Sequence, residues 1–233
     1  MTDEVPKIPV FMQQMAETIT KAACMLDNAQ MRAFFQEMLA ARRVYVAGSG
    51  RSGFIAKAFG LRLLHLGYDV YVVGETITPA LHSGDTLVVF SGSGETHSMV
   101  SFAGTAKELG GRVCLITASP DSKIGKTADS VVNLGDLTGY YRKDTNSYEI
   151  RQLTGEYRSV STAFAPLGTL FETMALVFSD AVISALIEAK NAQVFDMKCR
   201  LTNVEYCNST ERPRVSSRTR SQYHYPYGIS MRK

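Results

Sequence analysis

Long apolar runs are missing from this 233-residue sequence. No stretch approaches the ~20 unbroken apolar residues that a membrane span requires, which argues against a membrane protein. The first residues include Asp3 and Glu4 and no early apolar segment, so no secretory leader is expected. Cysteine is scarce: Cys24, Cys114, Cys199 and Cys207 form no C-x-x-C pair. A chain of this length does not need covalent staples, and the reading is a reducing cytoplasm. Cys24 and Cys114 lie in apolar helix-like and strand-like runs, where buried, inert thiols are expected. No internal repeat of roughly 20–50 residues recurs.

An excess of one charge is also missing from most of the chain. The net charge is +3, yet residues 206–233 alone carry Arg212, Arg214, Arg218, Arg220, Arg232 and Lys233 against the single acid Glu211. What remains is slightly acidic and offers no electrostatic case for nucleic acid. The tail is expected to be a solvated basic extension with little fixed structure.

What is present is globular: 45% hydrophobic and 20% charged residues, enough chain for one ordinary core. Apolar residues recur at helical spacing from Phe11 to Met38. Asp27 and Asn28 break the pattern, which predicts two consecutive helices. Five short runs rich in Val, Ile or Leu follow, at Val44–Ala47, Val70–Val73, Leu87–Phe90, Val113–Thr117 and Val131–Leu134. Such runs suit strands buried on both faces. Helix-like stretches lie between them at Ser52–Leu66 and Ser98–Leu109, with a shorter one near Ile124–Ala128. Alternation of this kind predicts an α/β fold, a five-stranded parallel sheet flanked by helices. Residues Thr138–Arg158 are polar and without period, and read as a long loop. An apolar helix is expected from about Leu170 to Ala189. The expected division is an N-terminal helical segment over 1–42, one domain with its closing helix over 43–205, and the tail over 206–233.

Two glycine-rich turns carry the functional signal. Gly48-Ser49-Gly50-Arg51-Ser52-Gly53 follows the first strand and opens a helix. With Glu75 ending the second strand, it fits a dinucleotide fingerprint and would favour a nicotinamide-dependent oxidoreductase. The bland alternative is a tight turn that needs glycine for backbone reasons alone. The second turn, Ser91-Gly92-Ser93-Gly94-Glu95-Thr96, follows the third strand and also opens a helix. Three hydroxyls beside free N–H groups at a helix start make a cradle for a phosphate monoester. Helix capping by Thr96 or Ser93 accounts for one hydroxyl but not for three. A dinucleotide fold has no need of this second turn.

In order along the chain stand V-A-G-S-G-R-S-G, V-G-E-T-I-T-P-A-L, F-S-G-S-G-E-T and A-P-L-G-T-L-F-E. Over roughly Met12 to Glu205 the chain resembles the SIS (sugar isomerase) domain family, and within it the 6-phospho-3-hexuloisomerases. The resemblance implies a flavodoxin-like doubly wound fold and a homotetramer with sites at subunit interfaces. It implies interconversion of 3-hexulose 6-phosphate and fructose 6-phosphate, a step of formaldehyde fixation through ribulose monophosphate, with neither cofactor nor metal. By residue, it implies that Ser52 and Ser91, Gly92, Ser93, Gly94, Glu95 and Thr96 bind substrate, and that Glu172 accepts the proton. Thr169 to Glu172 is also a T-x-x-E capping box, so the residues alone leave both roles for Glu172 open. Glu95 reads more readily as a support of the turn than as a base.

The chain departs from the branch in places. Leu201 stands where members of the branch commonly carry the histidine of a closing run like H-A-N-L-E, here Leu201 to Glu205. The other histidine near the phosphate turn is His97, while His65 reads as structural and His82 takes no role. The 138–158 loop and the tail have no usual counterpart. Rival readings are a non-catalytic sugar-phosphate sensor and an aldose–ketose isomerase of a pentose phosphate.

Overall fold

A computed structural model describes residues 6–135, 169–193, 196–197 and 200–201. The stretch 138–158 that reads as a loop, Cys199, Glu205, Cys207 and the basic tail lie outside the described residues. The chain begins with two helices, α1 (Ile8–Met25) and α2 (Asn28–Ala40). Pro9 lies in the first turn of α1, where its missing N–H costs nothing. The break at Asp27 is a cap: its Oδ1 accepts from the N–H groups of Ala29 and Gln30, both at 2.8 Å.

Then come β1 (Val44–Gly48), α3 (Arg51–His65), β2 (Val70–Val72), β3 (Thr86–Phe90), α4 (His97–Glu108), β4 (Arg112–Thr117), β5 (Ser130–Asn133) and α5 (Thr169–Ala189). All five strands pair in parallel in the order β2-β1-β3-β4-β5. Each expected strand is present, as are the helices expected at 52–66, 98–109 and 170–189. The stretch at 124–128 differs. It is a run of hydrogen-bonded turns, with Lys126 N–H on the Ser122 carbonyl and Ala128 N–H on that of Ile124. Gly125 lies so near the Pro120 carbonyl that an added Cβ would sit 1.8 Å from its oxygen, so the backbone turns back there instead of extending a helix.

Strand side chains alternate between two cores. Val44, Val46, Val88, Phe90, Cys114, Ile116 and Val132 meet α2, α3 and α5, through Phe34, Met38, Phe59, Leu63, Phe171 and Phe178. Tyr45, Ala47, Leu87, Val89, Val113 and Leu115 meet α4, through Met99, Ala103 and Ala106. α5 is long and apolar enough by length and composition to cross a membrane. It is placed as a core helix, with Leu170, Met174, Ala175, Val182, Ile183 and Leu186 buried along one side.

Burial pushes the Cys114 thiol well up, as expected of an inert core thiol. Cys24 corrects its expectation: it is exposed. Only Ala22 of α1 is buried, while Ile8, Val10, Met12 and Met25 face outward. A helical apolar stripe announces that a face is to be covered, not that the same chain covers it.

The lower edge of the sheet, where strands begin, is closed by charge. The Asp85 carboxylate is wholly buried and pairs with Arg42 at 2.9 Å and Arg43 at 2.6 Å, and accepts from His82 N–H at 2.8 Å. Arg43 also donates to the Ala80 carbonyl, as does the Tyr45 hydroxyl. Every group in this cluster that needs a partner has one.

Candidate active site

The strand order reverses between β1 and β3, and an open parallel sheet carries its crevice at the carboxyl ends of such strands. Gly48, ending β1, is paired in register with Phe90, ending β3. The two glycine-rich turns leave from these neighbouring residues, and the helices they open pack on opposite faces of the sheet.

The first turn is shaped by close packing. An added Cβ at Gly48 would lie 2.5 Å from the Ser52 carbonyl oxygen, and one at Gly53 would lie 2.9 Å from that of Gly48. Gly50 has φ +58° with open space where a Cβ would be, and serves as the N-cap of α3. No side chain caps that helix start. Arg51 is its first residue, and Ser52 follows, partly buried.

The second turn is a hydrogen-bonded frame. Ser91 is buried, and its N–H donates to the Ile116 carbonyl at 3.0 Å. Its Oγ accepts from Gly94 N–H at 3.1 Å, and Ser93 Oγ accepts from Glu95 N–H at 3.2 Å. Both hydroxyls act as acceptors here, so each keeps its own proton to donate. Thr96 is the N-cap of α4, yet its side chain makes no capping hydrogen bond. Capping by Thr96 therefore does not account for the serine-rich turn.

The segment after β4 braces this frame. The Gly92 carbonyl accepts from Ala118 N–H and Thr117 Oγ1, and that of Gly94 accepts from Ile124 N–H. The Glu95 carboxylate accepts from Lys123 N–H at 2.8 Å and lies 3.3 Å from its ammonium. Gly94, at φ +60°, passes so close to Ser122 that a Cβ would fall 2.5 Å from the serine Cβ. Glu95 thus supports the turn, as its position beside the hydroxyls suggested.

Glu172 lies in the first turn of α5, and the fold carries it to the start of α3, where Arg51 Nε donates to its Oε2. The carboxylate is mostly covered, at 13% exposed, while the Arg51 side chain is 61% exposed. Among the described residues, the hydrogen bond of Glu172 runs across to α3. Arg51 is the residue that sequence reasoning missed, although it stood inside the first glycine turn.

Glu75 does not enter the crevice chemistry: it is half exposed and pairs with Lys57 of α3 at 2.6 Å. His97 is exposed at the start of α4, and His82 is exposed on the loop before β3. His65 is buried in α3 with neither ring nitrogen partnered among the described residues. Leu201 is partly buried. Among the described residues no group of three or more His, Cys, Asp or Glu could hold a metal ion.

The SIS domain family matches residues 37–135, the stretch from the end of α2 through β5. The 3-hexulose-6-phosphate isomerase of Bacillus subtilis is 34% identical over 199 residues, which span 85% of this chain and 100% of that protein. The chain belongs to the SIS family. Another SIS relative, the 3-hexulose-6-phosphate isomerase of Mycobacterium gastri, is 33% identical over 189 residues, 81% of this chain and 87% of that one. A Methanococcus jannaschii crystal structure, described as inferring a molecular function of 3-hexulose-6-phosphate isomerase, superposes with a TM-score of 0.67 at 27% identity. It covers 82% of this chain and 97% of that one. The SIS match ends at residue 135, so Glu172 lies beyond it and is reached through the full-length relatives.

Proposed function

We propose that this chain is an isomerase interconverting 3-hexulose 6-phosphate and fructose 6-phosphate. The full-length similarity to 3-hexulose-6-phosphate isomerases supports the reaction class. The observation that carries the site is the Arg51–Glu172 pair, which ties a carboxylate from α5 to the same sheet end as the serine turn. In this reading, Ser52 and Ser91 to Thr96 hold the phosphate. Hydroxyl protons and the uncapped starts of α3 and α4 face its negative charge.

Moving a carbonyl between C3 and C2 needs one proton taken from C2 of the 3-ketose and returned to C3. Glu172 takes the proton from C2 as O3 gains one, giving an enediol across C2–C3; the carboxyl then returns its proton to C3 as the O2–H proton leaves for solvent and the carbonyl forms at C2. One carboxylate serves both steps, with no redox change and no cofactor. Ring opening of the furanose falls to another group, and we assign it to His97, the histidine that follows the serine turn in sequence.

The outward apolar side chains of α1 support assembly with further copies, in keeping with a homotetramer in the cytoplasm. Within each copy we assign residues 1–42 to a helical segment, 43–205 to the SIS domain and its closing helix, and 206–233 to a basic tail. Fructose 6-phosphate incubated with the protein in D₂O should gain deuterium at C3, read by NMR. A second reading, a sugar-phosphate sensor without catalysis, is favoured by Leu201 in place of a histidine. Saturable binding with no deuterium at C3 would select it.

A further inference from the structure

We infer that Arg51 is the positioning residue of Glu172, holding Oε2 so that Oε1 is the atom that carries the proton. The inference rests on the reading of Glu172 as the base. A glutamate on a helix has three rotatable side-chain bonds, and its carboxylate sweeps a wide arc unless something holds it. Proton transfer between adjacent carbons tolerates little of that arc, because productive geometry is narrow. Among the described residues Glu172 has one polar side-chain partner: Arg51 Nε, on Oε2. No described donor reaches Oε1.

The partner is itself well placed. Gly50, without a Cβ, takes a positive φ of +58°, and Arg51 follows it as the first residue of α3. Helix α3 is fixed to the sheet through Ala56, Phe59 and Leu63, all buried. The base on α5 is therefore aimed from the scaffold of the first glycine turn, 121 residues away in sequence. The same arrangement makes the turn's arginine part of the machinery for reasons separate from phosphate.

The test uses the full chain and fructose 6-phosphate exchange in D₂O. Arg51→Ala should lower kcat about 10- to 100-fold with KM within about threefold of wild type, the pattern of a lost transition-state contribution. Arg51→Lys should recover part of kcat. Guanidinium ion at tens of millimolar, about the range that leaves a fold intact, should raise kcat of Arg51→Ala and leave wild type unchanged. In ¹⁵N NMR, the Arg51 Nε–H signal should move in Glu172→Gln.

Full kcat in Arg51→Ala would overturn this inference alone. A raised KM at constant kcat would also overturn it, and would make Arg51 a phosphate ligand. An Nε–H signal unmoved by Glu172→Gln would remove the pair itself. Absence of exchange in wild type with the Nε–H shift intact would instead sink the base reading on which the inference stands.

Discussion

The two ends of the sheet are built on opposite plans. Where the strands begin, Asp85 is fully buried and every charge around it is matched by Arg42, Arg43, His82 N–H and, through Arg43, the Ala80 carbonyl. Where they end, two helices start without side-chain caps, hydroxyls keep spare protons and an arginine stands in solvent. One end has its polar groups satisfied internally and the other leaves them available. The lesson is that stability and chemistry are segregated along the strand axis, so changes at either end should move different observables.

The largest effect expected is at the open end. Glu172→Gln should lower C3 exchange by about 10²–10⁴-fold, while the thermal midpoint and sugar-phosphate binding stay near wild type. Retained activity would end the assignment of Glu172 as base. At the closed end, Asp85→Ala should lower stability clearly, because Arg42, Arg43 and the His82 N–H all lose the one buried carboxylate they share. Urea unfolding measures this, and exchange per folded molecule should not change. A loss of turnover in the folded fraction would break the segregation.

Smaller effects sharpen the contrast. Ser91→Ala with Ser93→Ala should weaken fructose 6-phosphate binding, each charged hydrogen bond contributing roughly 1.5–3 kcal/mol. Thermal-shift titration reads this, and an unchanged midpoint shift would remove the cradle. Within the open end, Gly94→Ala should destabilise by more than the ~1–3 kcal/mol of simple overpacking, since it meets Ser122 and needs positive φ. Gly50→Ala meets open space, so only the backbone strain of its φ +58°, ψ −132° remains, about 1–3 kcal/mol. Equal losses at the two glycines would show that packing against Ser122 is not what distinguishes them.

The smallest prediction concerns acid. Burial pushes the Asp85 carboxyl up, but Arg43, His82 N–H and Arg42 together hold it below its ordinary value of 3.8. Its folded value lies below its unfolded one, so its contribution to stability is complete above about pH 4 and fades as pH falls through the folded value. Burial, with Arg62 adding to it, holds His65 below its ordinary 6.5. The unfolded chain therefore binds that proton first, and stability should already slip as pH drops below about 6.5. Replacing His65 with Gln should flatten the upper part of that slope and leave the lower part.

The strands were legible because residues buried on both faces must be apolar without interruption, as in Val44–Ala47 and Val113–Thr117. Parallel pairing followed from alternation with helices, but the order β2-β1-β3-β4-β5 depends on which crossovers turn which way, and no residue spells that out. The turns at 124–128 misled because one turn of helix and two consecutive tight turns demand the same residues. Cys24 misled because periodicity is silent about what covers a face. Both glycine turns were visible, whereas the Arg51–Glu172 pair was not: a contact between helix starts so far apart is a product of topology, and only Arg51's place in the turn hinted at it.

The brace around the second turn has a consequence for the thermodynamics of ligand arrival. Ser91, Ser93, Glu95 and the carbonyls of Gly92 and Gly94 are held by partners within the fold itself. Rotamer and backbone freedom there was given up during folding, so an incoming anion has little ordering left to impose. Association then selects no rare conformer and carries no population penalty. The turn behaves as a rigid socket, and the entropy of assembling it is charged to the stability of the chain rather than to the affinity for its ligand.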